Sequence, residues 1–302
     1  MVEKKEQHFV PKSYLAAWSD PETPAKQTPY VHTFLKDGSG HKRKSPSNVF
    51  WMPDLYTRFA PNGERDLSIE DWLCGVEGRF VQARNHVLNG NNPDEDCIAD
   101  IFLFVSTMIT RIPRQIERFQ AFWKRIETVA SDITINPNAK PIPSLNRHEE
   151  SISLSMEDVR KAANDPMGTW FPITVAQHAE AMAQFYGLTI LVRDDYPPFL
   201  TNDNPAATYD VRSEERRHPF RGGLSSPDLQ IVMPASPSMA FHFKHSDERF
   251  LGIKKIDGRQ VNEINFRTII KSQERFVSDR ADLDFVCLML EFIRRKSDTT
   301  FK

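Results

Sequence analysis

The sequence predicts an α+β fold, with a helix-rich first half packed on a mostly antiparallel or mixed sheet from the second half. Helical periodicities cluster before residue 187, strand-length apolar runs cluster after residue 188, and the two do not alternate as in βα units. We therefore expect a single α+β domain over residues 1–302, helix-rich at 1–187 and strand-rich at 188–302. A linker-like loop rich in Pro and Asn is expected at 136–148.

The first part of the chain predicts small elements. Pro11 suits the first position of a short helix that reaches Trp18. Tyr30–Leu35 is predicted to be a strand that ends in a hairpin turn, and Leu55–Phe59 a second short strand.

Long helices are predicted next. Ser68 is expected to cap a helix at 68–89, and a second helix should start near Asn92 and continue to residue 128 with a break or kink at Pro113. We expect these two helices to pack together.

The second half predicts mostly strands. Helices are expected at 155–164 and 171–186, the latter ended by Gly187, and a last long helix at 259–278. The strands predicted at 188–193, 199–201, 229–233 and 239–245 should form one antiparallel or mixed sheet against the helices.

Composition limits the function classes. A formal net charge of -2 and a pI near 6.5 argue against a protein that coats nucleic acid non-specifically, but they allow a local basic groove. The three cysteines have no CxxC spacing and indicate reduced thiols. No apolar segment is long enough for a signal or a membrane span, so we expect a cytoplasmic protein without membrane contact.

The sequence contains no GxGxxG, P-loop, HExxH or GxSxG motif. Candidate functional residues must therefore be found by their placement. His8 lies just before the predicted first helix, whose positive end favours a neutral imidazole that can act as a base or metal ligand. The alternative role is a buried histidine that binds the free N–H groups of that helix.

Two further candidates lie on the long helices. Glu77 is predicted at the edge of the apolar stripe of helix 68–89, where it either lines a cleft or forms a surface pair. Arg111 ends a nearly all-apolar stretch, so it needs a carboxylate partner or an anionic ligand. Arg114 follows beyond Pro113 as a candidate binding residue in the same basic run.

Three polar residues of the second half complete the set. Asp203 follows a short apolar strand and either closes an Asx turn or acts as an acid, base or metal ligand. Asn204 is held extended by Pro205, and Asn265 lies on the inner face of the last helix, where it needs hydrogen-bond partners.

These segments resemble a family named for a domain of unknown function, DUF4238, over almost the whole chain. The opening His8-Phe-Val-Pro-Lys-Ser-Tyr-Leu15 is similar to the family's His-x-x-Pro-x-x-Tyr-Leu. The other similar segments are the Glu77 helix, Arg111–Pro113, Thr201–Pro205, Ile231–Pro237, Val261–Asn265 and Arg275–Val277. The resemblance implies that His8, Glu77, Arg111, Asp203 and Asn265 form one site, and it implies no known reaction.

Two functions remain open from the sequence. The first is a hydrolase acting on a phosphate ester in RNA or a nucleotide, with His8 as base, Arg111 stabilising charge, and carboxylates that orient the histidine. A divalent metal held by His8, Glu77 and Asp203 is the cofactor considered for it. The second is a non-catalytic module that binds an anionic ligand or a partner protein through Arg111.

Overall fold

The computed structural model describes residues 6–60, 62–132, 155–194, 197–210, 223–282 and 284–291. The loop predicted at 136–148 lies outside the described residues. The helices are α1 Lys12–Leu15, α2 Ser68–Leu88, α3 Glu95–Thr110, α4 Pro113–Asp132, α5 Met156–Asn164, α6 Pro166–Thr169, α7 Phe171–Phe185, α8 Gly258–Lys271 and α9 at 284–291.

The strands are β1 Glu6–His8, β2 Val31–Leu35, β3 Lys42–Lys44, β4 Trp51–Pro53, β5 Arg58–Phe59, β6 Arg65–Asp66, β7 Tyr186–Arg193, β8 Thr201–Asn202, β9 Thr208–Asp210, β10 Leu229–Ser236, β11 Met239–His245, β12 Phe250–Ile256 and β13 Arg275–Ser278. The predicted α+β class is confirmed. No helix among these described residues is long and apolar enough to cross a membrane.

The two long helices α2 and α3 pack against each other as predicted. The rings of Phe80 and Phe104 stack at their interface with centroids 3.6 Å apart. Asp94 caps α3 by accepting a hydrogen bond from the Cys97 N–H at 2.8 Å. The break predicted at Pro113 is confirmed: α3 ends at Thr110 and α4 begins at Pro113, because proline cannot donate to the helical ladder.

Three details of the predicted elements are wrong. Ser68 begins α2 without capping it, and its N–H instead donates to Asp66 Oδ1 at 2.9 Å. The segment 55–57 is not strand, and only Arg58–Phe59 pairs, with β6. The helix predicted at 171–186 ends at Phe185 with Tyr186 as its cap. Gly187 does not end it but lies in β7, where a side chain would collide with the Glu248 carbonyl.

A five-stranded sheet has the order β12-β7-β11-β10-β9, with the β12–β7 pair parallel and the others antiparallel. One face packs on the long helices through edge contacts of Phe241 with Phe80 and of Phe243 with Phe102. The hydrophobic core between this sheet and the long helices contains buried residues from Val10 to Val277, so both halves of the chain contribute to it.

A second, four-stranded antiparallel sheet has the order β3-β2-β13-β8. Two predictions are wrong in this part of the fold. The segment 199–201 does not join β7, β10 and β11 in one sheet, because β8 pairs with β13. The predicted helix 259–278 ends at Lys271, and Arg275–Ser278 is strand β13. Its strand character was hidden because the partner, β2, lies far away in the sequence.

Candidate anion-binding site

Arg111 lies at the corner between α3 and α4 and is fully buried. Its Nη1 donates to Glu77 Oε1 on α2, and its Nε donates to the Phe9 carbonyl, each at 2.9 Å. Its Nη2 is buried and has no hydrogen-bond partner in the described part of the chain. The guanidinium group therefore links the segment after β1 to α2 through two of its three nitrogens.

His8 lies near this pair, and its Nε2 is 3.0 Å from the Ser47 carbonyl oxygen. Burial lowers the pKa of His8, aided by the positive charges of Lys12 and Arg111 and opposed by the Ser47 hydrogen bond and Glu77. The imidazole is therefore neutral at pH 7. A carbonyl only accepts, so Nε2 carries the proton and Nδ1 is the remaining acceptor.

Asp203 follows β8 and is 4% exposed. Its Oδ1 accepts from the Gln273 N–H at 2.7 Å, and its Oδ2 accepts from the Glu274 and Arg275 N–H groups at 2.6 and 2.9 Å. Burial raises the pKa of Asp203, and these backbone donors act to lower it. The carboxylate thus fixes the turn between α8 and β13.

The two predicted asparagines also make local contacts. Buried Asn265 accepts from the Leu200 N–H and donates to the Pro198 carbonyl, each at 2.8 Å, which fixes the segment before β8 to α8. Asn204 donates from its side chain to the Lys271 carbonyl at 3.4 Å. Asn265 therefore braces the fold, whereas half-buried Asn204 lines a cavity described below.

The larger of two adjacent cavities, with a volume of about 720 Å³, is here called the aromatic cleft. Its apolar wall contains Phe9, Phe50, Trp51 and Met52. Its charged lining residues are Lys44, Arg114, Glu117, Asp203, Glu274 and Arg275. Cations and carboxylates are thus balanced in this cleft.

The smaller cavity, about 370 Å³ in volume, is here called the basic cavity. Its charged lining residues are Lys36, Arg114, Arg118 and Lys271, and no carboxylate residue is among its described lining. Arg114 and Arg118 form no ion pair within the described ranges. Lys36 Nζ donates to the Ile270 and Ser272 carbonyls at 2.7 and 2.8 Å. Arg114 and Arg118 therefore present positive charge to the cavity.

Apart from Asn265, which fixes α8 to the segment before β8, the predicted residues lie in three places. His8, Glu77 and Arg111 lie together, and Asp203 lines the aromatic cleft. Arg114 lines both cavities, and Asn204 lines the basic cavity. The described lining of the cleft does not include His8 or Arg111, although it includes Phe9, whose carbonyl accepts from Arg111.

The metal considered from the sequence required His8, Glu77 and Asp203 to converge. Within the described ranges, no group of three His, Cys, Asp or Glu residues is placed to hold a metal ion, and these three do not form one. The Asp203 carboxylate instead accepts hydrogen bonds from the backbone N–H groups of residues 273–275.

Sequence reasoning missed several lining residues. The sequence places Lys36 only in a hairpin turn, and it predicts one continuous helix that includes Lys271 and Arg275. Trp51 and Phe50 have no feature in the sequence that indicates a place in a binding site. The basic run on α4 was visible in the sequence, but only the fold shows that Arg114 and Arg118 face the end of α8.

A family model described as a protein of unknown function, DUF4238, matches residues 6–282, nearly the whole chain. No curated protein and no solved structure matches the chain.

Proposed function

The chain belongs to the DUF4238 family, and we propose that it binds a small phosphate-bearing anion in the basic cavity. The composition of the cavity wall supports this most strongly, since its described lining contains four cationic residues and no carboxylate. Of these cations, Arg114 and Arg118 form no ion pair within the described residues. Arginine guanidinium groups bind phosphate oxygens through paired N–H donors, and Arg114 and Arg118 are available to do so.

The position of α4 supports the same proposal. Arg114 and Gln115, both in the first turn of this 20-residue helix, line the basic cavity. The positive end of a helix dipole favours an anion there, independently of the side-chain charges. The volume of about 370 Å³ suits a small ligand. The cytoplasmic location predicted from the sequence belongs to this proposal as well.

Calorimetric titration with pyrophosphate tests the proposal. Arg114→Gln and Arg118→Gln should each weaken binding about 10-fold or more, because each removes charge-assisted hydrogen bonds to phosphate. The matched control is Arg125→Gln, which makes the same charge change on the same helix outside the described lining of both cavities. An equal loss in the control, or no binding by the wild-type protein, contradicts the proposal.

A second candidate function is hydrolysis of a phosphate ester in RNA or a nucleotide. It is favoured by the neutral imidazole of His8 close to Glu77, since a neutral histidine can accept a proton. Arg111 is fully buried, so it would act on this chemistry through its positive charge near His8 and not by direct contact with the phosphate.

Cleavage of short RNA and generic phosphodiesters by wild type and His8→Ala, with and without a chelator, tests this candidate. His8→Ala should lower the rate about 100-fold or more while the circular dichroism spectrum is unchanged. Because the pKa of His8 is lowered, the wild-type rate should stay constant as pH falls through 6.5 and decline only below it. A rate that does not change in a folded His8→Ala variant removes this candidate.

A further inference from the structure

We propose that the ligand is a nucleotide, with its phosphate in the basic cavity and its base in the aromatic cleft. This inference rests on the proposed anion binding. Arg114 and Gln273 line both cavities, so the two spaces share a wall and one ligand can enter both.

The apolar wall of the aromatic cleft suits a planar base. Trp51 is 36% exposed, and the rings of Phe9 and Phe50 lie beside each other with centroids 5.8 Å apart. Trp51 therefore offers an exposed ring on which a nucleobase can stack, while buried Phe50 and half-buried Phe9 complete the apolar wall.

The backbone at Phe50 supports the same assignment. Its φ is +57°, in the left-handed region that a bulky side chain rarely adopts. The strained conformation is held because the Phe50 carbonyl accepts from the N–H groups of Phe9 at 2.9 Å and Val10 at 3.4 Å. Strain that surrounding contacts enforce is often found at ligand sites.

The charges divide the two parts of a nucleotide between the cavities. Glu117 and Glu274 in the aromatic cleft repel phosphate, but their carboxylates can accept hydrogen bonds from the amino and N–H groups of a base. Asp203 is already satisfied by backbone donors. The basic cavity lacks such carboxylates in its described lining, so it is the better place for the phosphate.

Two cations of the cleft add donors for the rest of the ligand. Arg275 Nη1 is buried and has no hydrogen-bond partner in the described chain. A ribose hydroxyl or a base oxygen that reaches the half-buried Arg275 side chain can accept from its guanidinium group. Lys44 is half-buried in the lining of the same cleft and forms no ion pair among the described residues.

Comparing ribose 5-phosphate with the four nucleoside monophosphates isolates the contribution of the base. At least one monophosphate should bind about 5-fold or more tightly than ribose 5-phosphate, because stacking adds to the phosphate contacts. Trp51→Leu should remove this difference and leave the affinity for ribose 5-phosphate unchanged. Trp72→Leu is the matched control, since Trp72 is also exposed and lies on α2, outside the described lining of both cavities.

The outcomes separate this inference from the proposed function. Equal affinities for ribose 5-phosphate and all four monophosphates overturn the nucleotide assignment and leave anion binding standing. No binding of any of these probes overturns both. Titration with single-stranded RNA tetranucleotides shows whether the nucleotide belongs to an RNA strand or is free. Tighter binding of the tetranucleotides than of the monophosphates indicates an RNA strand, and binding that is no tighter indicates a free nucleotide. Both results support the proposal.

Discussion

Glu77→Ala is expected to destabilise the protein by about 3–5 kcal/mol, because it leaves a buried positive charge unpaired. The Arg111 side chain has no exposed surface, and Glu77, only 18% exposed, is the carboxylate that pairs with it. The Phe9 carbonyl accepts from the same guanidinium group but carries no full charge. Ser13 Oγ, which donates to Glu77 Oε2 at 3.5 Å, would also lose an acceptor.

Urea unfolding curves measure this loss. Glu77→Ala combined with Arg111→Met should recover part of it, because the buried charge is removed as well. Asp100→Ala is the control, since it breaks the exposed Arg79–Asp100 pair and should cost no more than about 1 kcal/mol. If Glu77→Ala costs no more than Asp100→Ala, the pair between α2 and the α3–α4 corner does not hold the fold together.

Asp203→Ala is expected to cost about 3–5 kcal/mol, because three backbone N–H groups lose a buried charged acceptor at once. Asp203→Asn should cost less, since an amide oxygen still accepts from part of the turn. Pyrophosphate binding should weaken in both variants, because Gln273 lines the basic cavity and the turn fixes its position.

Chemical denaturation of the Asp203 variants is compared with that of Asp257→Ala. Asp257 is the N-cap of α8 and accepts from the Gln260 N–H at 2.9 Å at an exposed site. Its loss should cost about 0.5–2 kcal/mol. An Asp203→Ala cost within the same range would show that the three hydrogen bonds contribute no more than an ordinary helix cap.

Local patterns predicted most helices, because their signals lie within a few residues of each other. Asp94 and Ser155 cap α3 and α5, and the break at Pro113 follows from its missing N–H. Strand β13 could not be predicted in this way. Its turn depends on Asp203, about seventy residues earlier, and its pairing depends on β2 near the start of the chain.

The same holds for the candidate site: some of its residues can be singled out from nearby sequence, and others only from the fold. Because Arg111 follows an apolar helix, the sequence indicates that its charge needs a partner. The partner is Glu77, which lies on a different helix, α2. Arg114 could be singled out from the sequence, but Lys36 and Lys271 could not. These two lysines look like ordinary surface residues until α8 and the β2 hairpin are placed around the first turns of α4.

Anion binding in the basic cavity is tested most directly by a crystal structure of the protein with tungstate, a phosphate-like oxyanion with strong anomalous scattering. We predict an anomalous peak in the basic cavity, with tungstate oxygens within about 2.7–3.2 Å of the guanidinium nitrogens of Arg114 and Arg118. Tungstate that binds elsewhere, for example beside Arg125 on the same helix, while the basic cavity contains only water, would contradict it.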